Sequence, residues 1–222
     1  MMRRFQVSDF RLRSWFINSG EKLKDPMTRF IALAFVAALI FLAAGCGSSQ
    51  PSRFYTLSAT KIPSAPSSSV SVAVGPVTVP AEVDRPQIVV NAGVNQVRPD
   101  EFNRWASPLQ NGISRAVAEN LVLMLGTPRV TLSTQMLSAD ADYRAAVEVQ
   151  RFESALGEAA ALDAVWSVRR AKDGRTEMGR TTVREQVQEK DYDSLVAAHS
   201  RAVARLSQDI AAAVRALDGP GQ

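Results

Sequence analysis

The apolar residues of this chain follow three patterns, and their order along the sequence lays out its organisation. Residues 30–44, FIALAFVAALIFLAA, are an unbroken apolar run of 15. From Arg53 onward apolar and polar positions alternate, which is the period of a half-buried strand. RFYTLS at 53–58 reads as a strand, and in the next one Val70, Val72 and Val74 face one way, Ser71 and Ala73 the other. The valines resume at Val77 and Val79, an odd offset, so Gly75-Pro76 is expected to bulge or bend that strand. Residues 80–86, PAEVDRP, break it, and QIVV at 87–90 starts another. Asn91-Ala92-Gly93 is expected to turn, and residues 94–98 to form a short return strand. A short strand is expected at 130–133, and longer alternating ones at 143–152 and 162–168. Lys172-Asp173-Gly174-Arg175 is a hairpin signal leading into a strand at 177–188.

Two stretches carry helical spacing instead. Leu109, Ile113, Val117, Leu121, Met124 and Leu125 make one stripe, with Ser107 as the expected N-cap, Pro108 at the first helical position and Gly126 at the stop. Leu195, Ala198, Ala202, Leu206, Ile210, Ala213, Val214 and Leu217 make a second, capped by Asp193 or Ser194 and ended by Gly219-Pro220. Paired strands with two helices set apart predict an α+β fold: a mainly antiparallel sheet with two helices packed on one face, a two-layer sandwich. The sequence reads as a single domain over 53–218, with a Pro/Ser-rich loop at 59–69.

The apolar run at 30–44 is short for a membrane span, which takes about 20 residues, and fits the core of a secretory signal with Arg29 as its positive flank. It ends in Leu42-Ala43-Ala44-Gly45-Cys46, which places the chain's one cysteine behind small side chains. This resembles the lipobox of bacterial lipoproteins, with Ala43 where Leu is usual. Residues 27–45 then form a lipoprotein signal peptide, Cys46 takes the lipid, and 46–52 is a polar tether. Residues 1–26 are read as a start codon placed too early or an extension. Three acyl chains, at about 0.8 kcal/mol per buried CH₂, would make a stable anchor. Gly47, where an Asp commonly signals inner-membrane retention, favours the periplasmic face of the outer membrane.

Composition changes the picture in one respect. The net charge of +4 lies in the first 29 residues, for the chain from Cys46 onward carries 19 basic and 19 acidic side chains. The basic pI therefore gives no reason to expect a nucleic-acid partner. One Cys excludes a disulfide framework, and one His, His199, excludes a multi-histidine metal site. His199 falls at the edge of the second helical stripe, with no G-x-S-x-G or Ser-x-x-Lys to supply a nucleophile, so a packing role is expected. Asp140/Asp142 and Asp191/Asp193 sit at element boundaries, where Asp caps turns and helices. No glycine pattern cradles a phosphate. Most aromatics, including Tyr55, Phe54, Tyr143, Phe152, Trp166 and Tyr192, are expected in the core. Phe102 and Trp105 differ, lying ahead of the first helix in a segment with no element of its own.

The order of short motifs is distinctive. After the lipobox come Phe54-Tyr55-Thr56-Leu57-Ser58, Val74-Gly75-Pro76-Val77-Thr78-Val79-Pro80, Asp84-Arg85-Pro86-Gln87-Ile88-Val89, Arg104-Trp105-Ala106-Ser107-Pro108-Leu109 and Asp142-Tyr143-Arg144. This resembles the ABC-type transport auxiliary lipoprotein family, in particular its PqiC/YmbA-like members. The resemblance implies a non-enzymatic outer-membrane lipoprotein of an MCE-type (mammalian cell entry) intermembrane lipid transport system, supporting membrane integrity. Its partner would be a PqiB-like MCE-domain membrane protein, with outer-membrane lipid held through acylated Cys46 and no cofactor or metal. MCE proteins form rings, which a homo-oligomer of the lipoprotein would match. The candidate partner surface comprises Glu82, Asp84, Arg85, Phe102 and Arg104. The alternatives are a lipoprotein regulator of a cell-wall enzyme and a lipid-binding carrier.

Overall fold

The computed structural model describes residues 26–27, 29–31, 33–35, 50–60 and 65–219. The chain divides into two compact units, Met1–Gln50 and Pro51–Gln222. In the first, the described residues between 26 and 35 are helical; Cys46 and most of the expected signal and tether lie outside the described residues.

The second unit runs β1 (Arg53–Tyr55), β2 (Val72–Thr78), β3 (Gln87–Gly93), β4 (Gln96–Trp105), α1 (Leu109–Leu125), β5 (Val130–Leu132), a 3-10 turn at Met136–Ser138, β6 (Tyr143–Ala155), β7 (Ala159–Arg170), β8 (Thr176–Gln186) and α2 (Tyr192–Asp218). The strands form two sheets, β5-β2-β6-β7-β8 and β1-β4-β3. β2 is parallel to both β5 and β6, and β1 is parallel to β4. Among the described strands, only the β3–β4 hairpin and the β6-β7-β8 meander are antiparallel. The fold is thus α+β as expected, but its sheets are mixed rather than mainly antiparallel, and there are two. Alternation fixes which residues form strands and says nothing of their partners. Parallel pairs need a long crossover, and α1 supplies one between β2 and β5.

α1 packs on β2 and β5, α2 on β6, β7 and β8, and the helices pack on one another. All the stripe residues read from the helical spacing are buried, none more than 7% exposed. Asn120 on α1 is fully buried and ties the two helices together, accepting from the Thr60 amide at 3.1 Å and donating to Ser207 Oγ on α2 at 3.3 Å.

Local expectations are met or displaced for physical reasons. The register of β2 against β6 shifts between Val74 and Val77, at the Gly75-Pro76 peptide, as the valine offset required. The hairpin turn falls at Val94-Asn95 rather than 91–93, and the return strand runs on to Trp105. Phe102 and Trp105 therefore lie on a strand. Pro99, Asp100 and Glu101 hide it, because Asp100 turns the backbone locally by accepting from the amides of Phe102 and Asn103 at 2.9 and 2.8 Å. Pro108, with ψ 134°, takes the N-cap position of α1, and Ser107 makes no cap. Asp191 caps α2, accepting from the Ser194 amide at 2.7 Å, in place of Asp193 or Ser194.

The Pro/Ser-rich segment carries order beyond the expected loop. Ala65 N donates to Leu123 O at 2.9 Å and Ser68 N to Gly126 O at 3.0 Å, strapping the segment across the end of α1. Gly126, at φ +64°, ends the helix in the left-handed conformation, and a Cβ there would run into the Pro66 carbonyl.

Candidate interaction surface

The catalytic candidates come first, because their surroundings decide what this surface can do. His199 sits one turn from Leu195 on α2, so it shares the inward face and is fully buried rather than at the stripe's edge. Its ring stacks on Phe152 at 4.0 Å and meets Trp105 edge-on at 6.3 Å. Nε2 lies 2.8 Å from Ser154 Oγ, and Nδ1 has no hydrogen-bond partner. Burial pushes its pKa down to about 3, so the imidazole is neutral at physiological pH. With no carboxylate to orient it and Ser154 itself only 2% exposed, the pair is a sealed core contact.

Asp142, like the helix-capping Asp191, has a structural role. Asp142 accepts from the Ser71 hydroxyl at 2.6 Å and its amide at 2.8 Å, fastening the approach to β2 against the start of β6. Those bonds, the hydroxyl's above all, hold its carboxyl below the usual range. Arg170, the last residue of β7, pairs with Asp173 in the β7–β8 turn and donates to the Leu217 carbonyl near the end of α2. Among the described residues, no three His, Cys, Asp or Glu side chains gather as a metal site would require.

The five residues named as a partner surface are placed on three separate features. Val83 is 7% exposed and pins the 80–86 turn, whose Val83 and Asp84 amides both reach the Pro80 carbonyl at 3.1 Å. Glu82, Asp84 and Arg85 project outward around it. Asp84 and Arg85 line a cleft of about 480 Å³, shared with Pro86, Trp105, Ala106 and Pro108. Trp105 forms its apolar wall at 7% exposure, held by its amide donating to the Pro86 carbonyl at 2.7 Å. Glu82 faces away, toward a groove of about 170 Å³ between the β3–β4 hairpin and residues 151–153 of β6.

Phe102 and Arg104 belong to the outer face of the three-stranded sheet. Tyr55 and Trp105 are register partners and both buried, so their neighbours Phe54 and Arg104, also partners, point outward. Phe102 is two positions from Arg104 and 38% exposed, while Phe54 is 65% exposed. The Arg104 guanidinium donates to the Glu101 carbonyl at 3.0 Å. Phe54 is thus not a core residue as expected. The alternation of RFYTLS carried the signal, for Tyr55 and Leu57 cannot both face inward without turning Phe54 out.

Residues 55–211 match the family of the ABC-type transport auxiliary lipoprotein component. The chain belongs to this family. The match runs from the end of β1 to Ala211, in the last third of α2, and so takes in strands of both sheets. No curated protein matches the chain. Among solved structures, an uncharacterized protein is similar at 22% identity and a TM-score of 0.61, covering 74% of this chain and 99% of its own. A Xanthomonas campestris protein of the DUF330 family is similar at 19% identity and a TM-score of 0.56, covering 71% and 92%. These likenesses establish a shared fold. As a member of the family, the chain is an auxiliary component of a transport system, and a lipoprotein. Among the described residues, no helix is long and apolar enough to cross a membrane.

Proposed function

We propose that this auxiliary lipoprotein is the non-enzymatic, outer-membrane docking subunit of an MCE-type intermembrane lipid transport system. It receives the far end of a periplasm-spanning MCE-domain protein, and membrane integrity is the physiological result. The observation that carries the reading is a transport-auxiliary domain whose first strand begins at Arg53, seven positions after the candidate lipidation residue Cys46. A short tether confines the domain to a thin layer under the membrane and raises its effective concentration for any partner arriving there. The burial of His199 and Ser154 supports a binding role over hydrolysis. The Glu82 groove, the Trp105 cleft and a larger, mostly polar cleft of about 800 Å³ beside Arg170 are all open to solvent, unlike the enclosed apolar cavity of a lipid carrier.

The docking contact is assigned to the Trp105 cleft, where Asp84 and Arg85 flank an apolar wall, the arrangement of a small interface core with a charged rim. The test is crosslinking of the acylated protein in intact envelopes followed by mass spectrometry. Recovery of an MCE-domain protein is expected. Recovery of a cell-wall synthase instead would overturn the reading.

A further inference from the structure

The outer face of the three-stranded sheet has no place in that docking contact. It carries two exposed phenyl rings, Phe54 and Phe102, with Arg104 paired to the first and two positions from the second. Exposed aromatic side chains grouped on one sheet face mark a contact with something outside the domain. We propose that Phe54, Phe102 and Arg104 form a membrane-contact face that seats the domain on the phospholipid surface holding its anchor. The inference rests on lipidation at Cys46, proposed above.

The place where the tether joins the domain, taken with the two exposed phenyl rings, favours a phospholipid surface as the occupant of this face. Phe54 is eight positions from Cys46, a span of at most about 29 Å fully extended and roughly 16 Å relaxed. The tether enters the domain at β1, so an anchor at Cys46 would lie within that reach of Phe54. The chemistry agrees with that placement. Phenyl rings gain from leaving water at the acyl boundary, and an arginine beside them lays its apolar stem along the same boundary while its head reaches the phosphates. Glu101, whose carboxylate stands 4.0 Å from the Arg104 guanidinium, leaves the local charge balanced. The face therefore suits a zwitterionic phospholipid surface and needs no anionic lipid.

The experiment places photo-crosslinkable benzoylphenylalanine at Phe54, Phe102 or Met178 of the full chain in intact envelopes. Met178 is the control, 71% exposed on β8 at the edge of the other sheet. Phospholipid adducts are read by mass spectrometry, with palmitate labelling of the same samples. Adducts at 54 and 102 at least about fivefold above 178 are expected. Adducts no higher than at 178, or on protein alone, in palmitate-labelled protein would overturn the membrane face and leave the anchor standing. Adducts retained without palmitate label would overturn the anchor and sustain the face, and loss of both would overturn both.

Discussion

The imidazole of His199 lies flat on the phenyl ring of Phe152, 4.0 Å between centroids and within 9° of parallel. Trp105 closes the cluster from the side, so one residue each from α2, β6 and β4 meet in a single aromatic contact. This contact joins the three-stranded sheet to the rest of the domain. It also holds a titratable group that only the neutral form can fill, because Nδ1 has no acceptor for a second proton.

Stability should therefore fall on mild acidification. The folded pKa of His199, about 3, lies below the unfolded value of about 6.5. The unfolded chain thus takes up the proton first. Stability is full above that unfolded value and is lost as pH falls toward 3, at up to about 1.4 kcal/mol per pH unit. The carboxyls of Asp142 and Asp163, held low by Ser71 and Arg180 respectively, contribute stability above their unfolded pKa that is lost only at lower pH. The interval between about pH 4.5 and 6 accordingly reports on the histidine. Urea melts across that interval should show the slope in the natural protein, and His199→Phe should flatten it. An unchanged slope in the variant would show that His199 is not its source.

Gly126→Ala should cost about 2 kcal/mol or more, since it adds a left-handed penalty to a collision with the Pro66 carbonyl. The loss is read as a lower urea midpoint with an unchanged m-value. A variant as stable as the natural protein would mean that the strap over the end of α1 yields freely.

Cys46→Ala should abolish palmitate incorporation and release the protein from the membrane fraction. Alkaline carbonate extraction of envelopes distinguishes the outcomes. Label persisting in the variant would place the acyl chain elsewhere.

Arg85→Glu should reduce recovery of the crosslinked MCE-domain partner at least tenfold while moving the melting temperature by no more than about 2 °C, because an exposed side chain contributes little to folding. Undiminished recovery would remove the Trp105 cleft as the docking contact.

Periodicity made the helices legible, since a stripe such as Leu195 to Leu217 repeats its signal over many turns. It also exposed the offset at Gly75-Pro76. Pairing was not legible: the parallel contact of β1 with β4 joins residues about 50 positions apart, with nothing local to announce it. The end of β4 was hidden by its own chemistry, because Asp100 satisfies amides that a plain strand would present to a neighbour. The partner surface was half legible. Asp84 and Arg85 could be read as an exposed charged turn, but the cleft beside them exists only because β4 continues to Trp105. Phe102 and Arg104 were singled out without the residue that gives them a common face, Phe54, which lies on another strand.

The direction of β1 has a mechanical consequence. Its three residues pair in parallel with Asn103, Arg104 and Trp105, so tension on the chain ahead of Arg53 acts along the strand axis. The ladder bonds are then sheared together instead of being unzipped one by one. Just inside, Leu57 is 1% exposed, and the Ser58 and Thr60 amides are fastened to Ser200 on α2 and Asn120 on α1. A pull from an anchor ahead of Arg53 would thus tug on a barbed hook set in both helices before β1 could peel from β4.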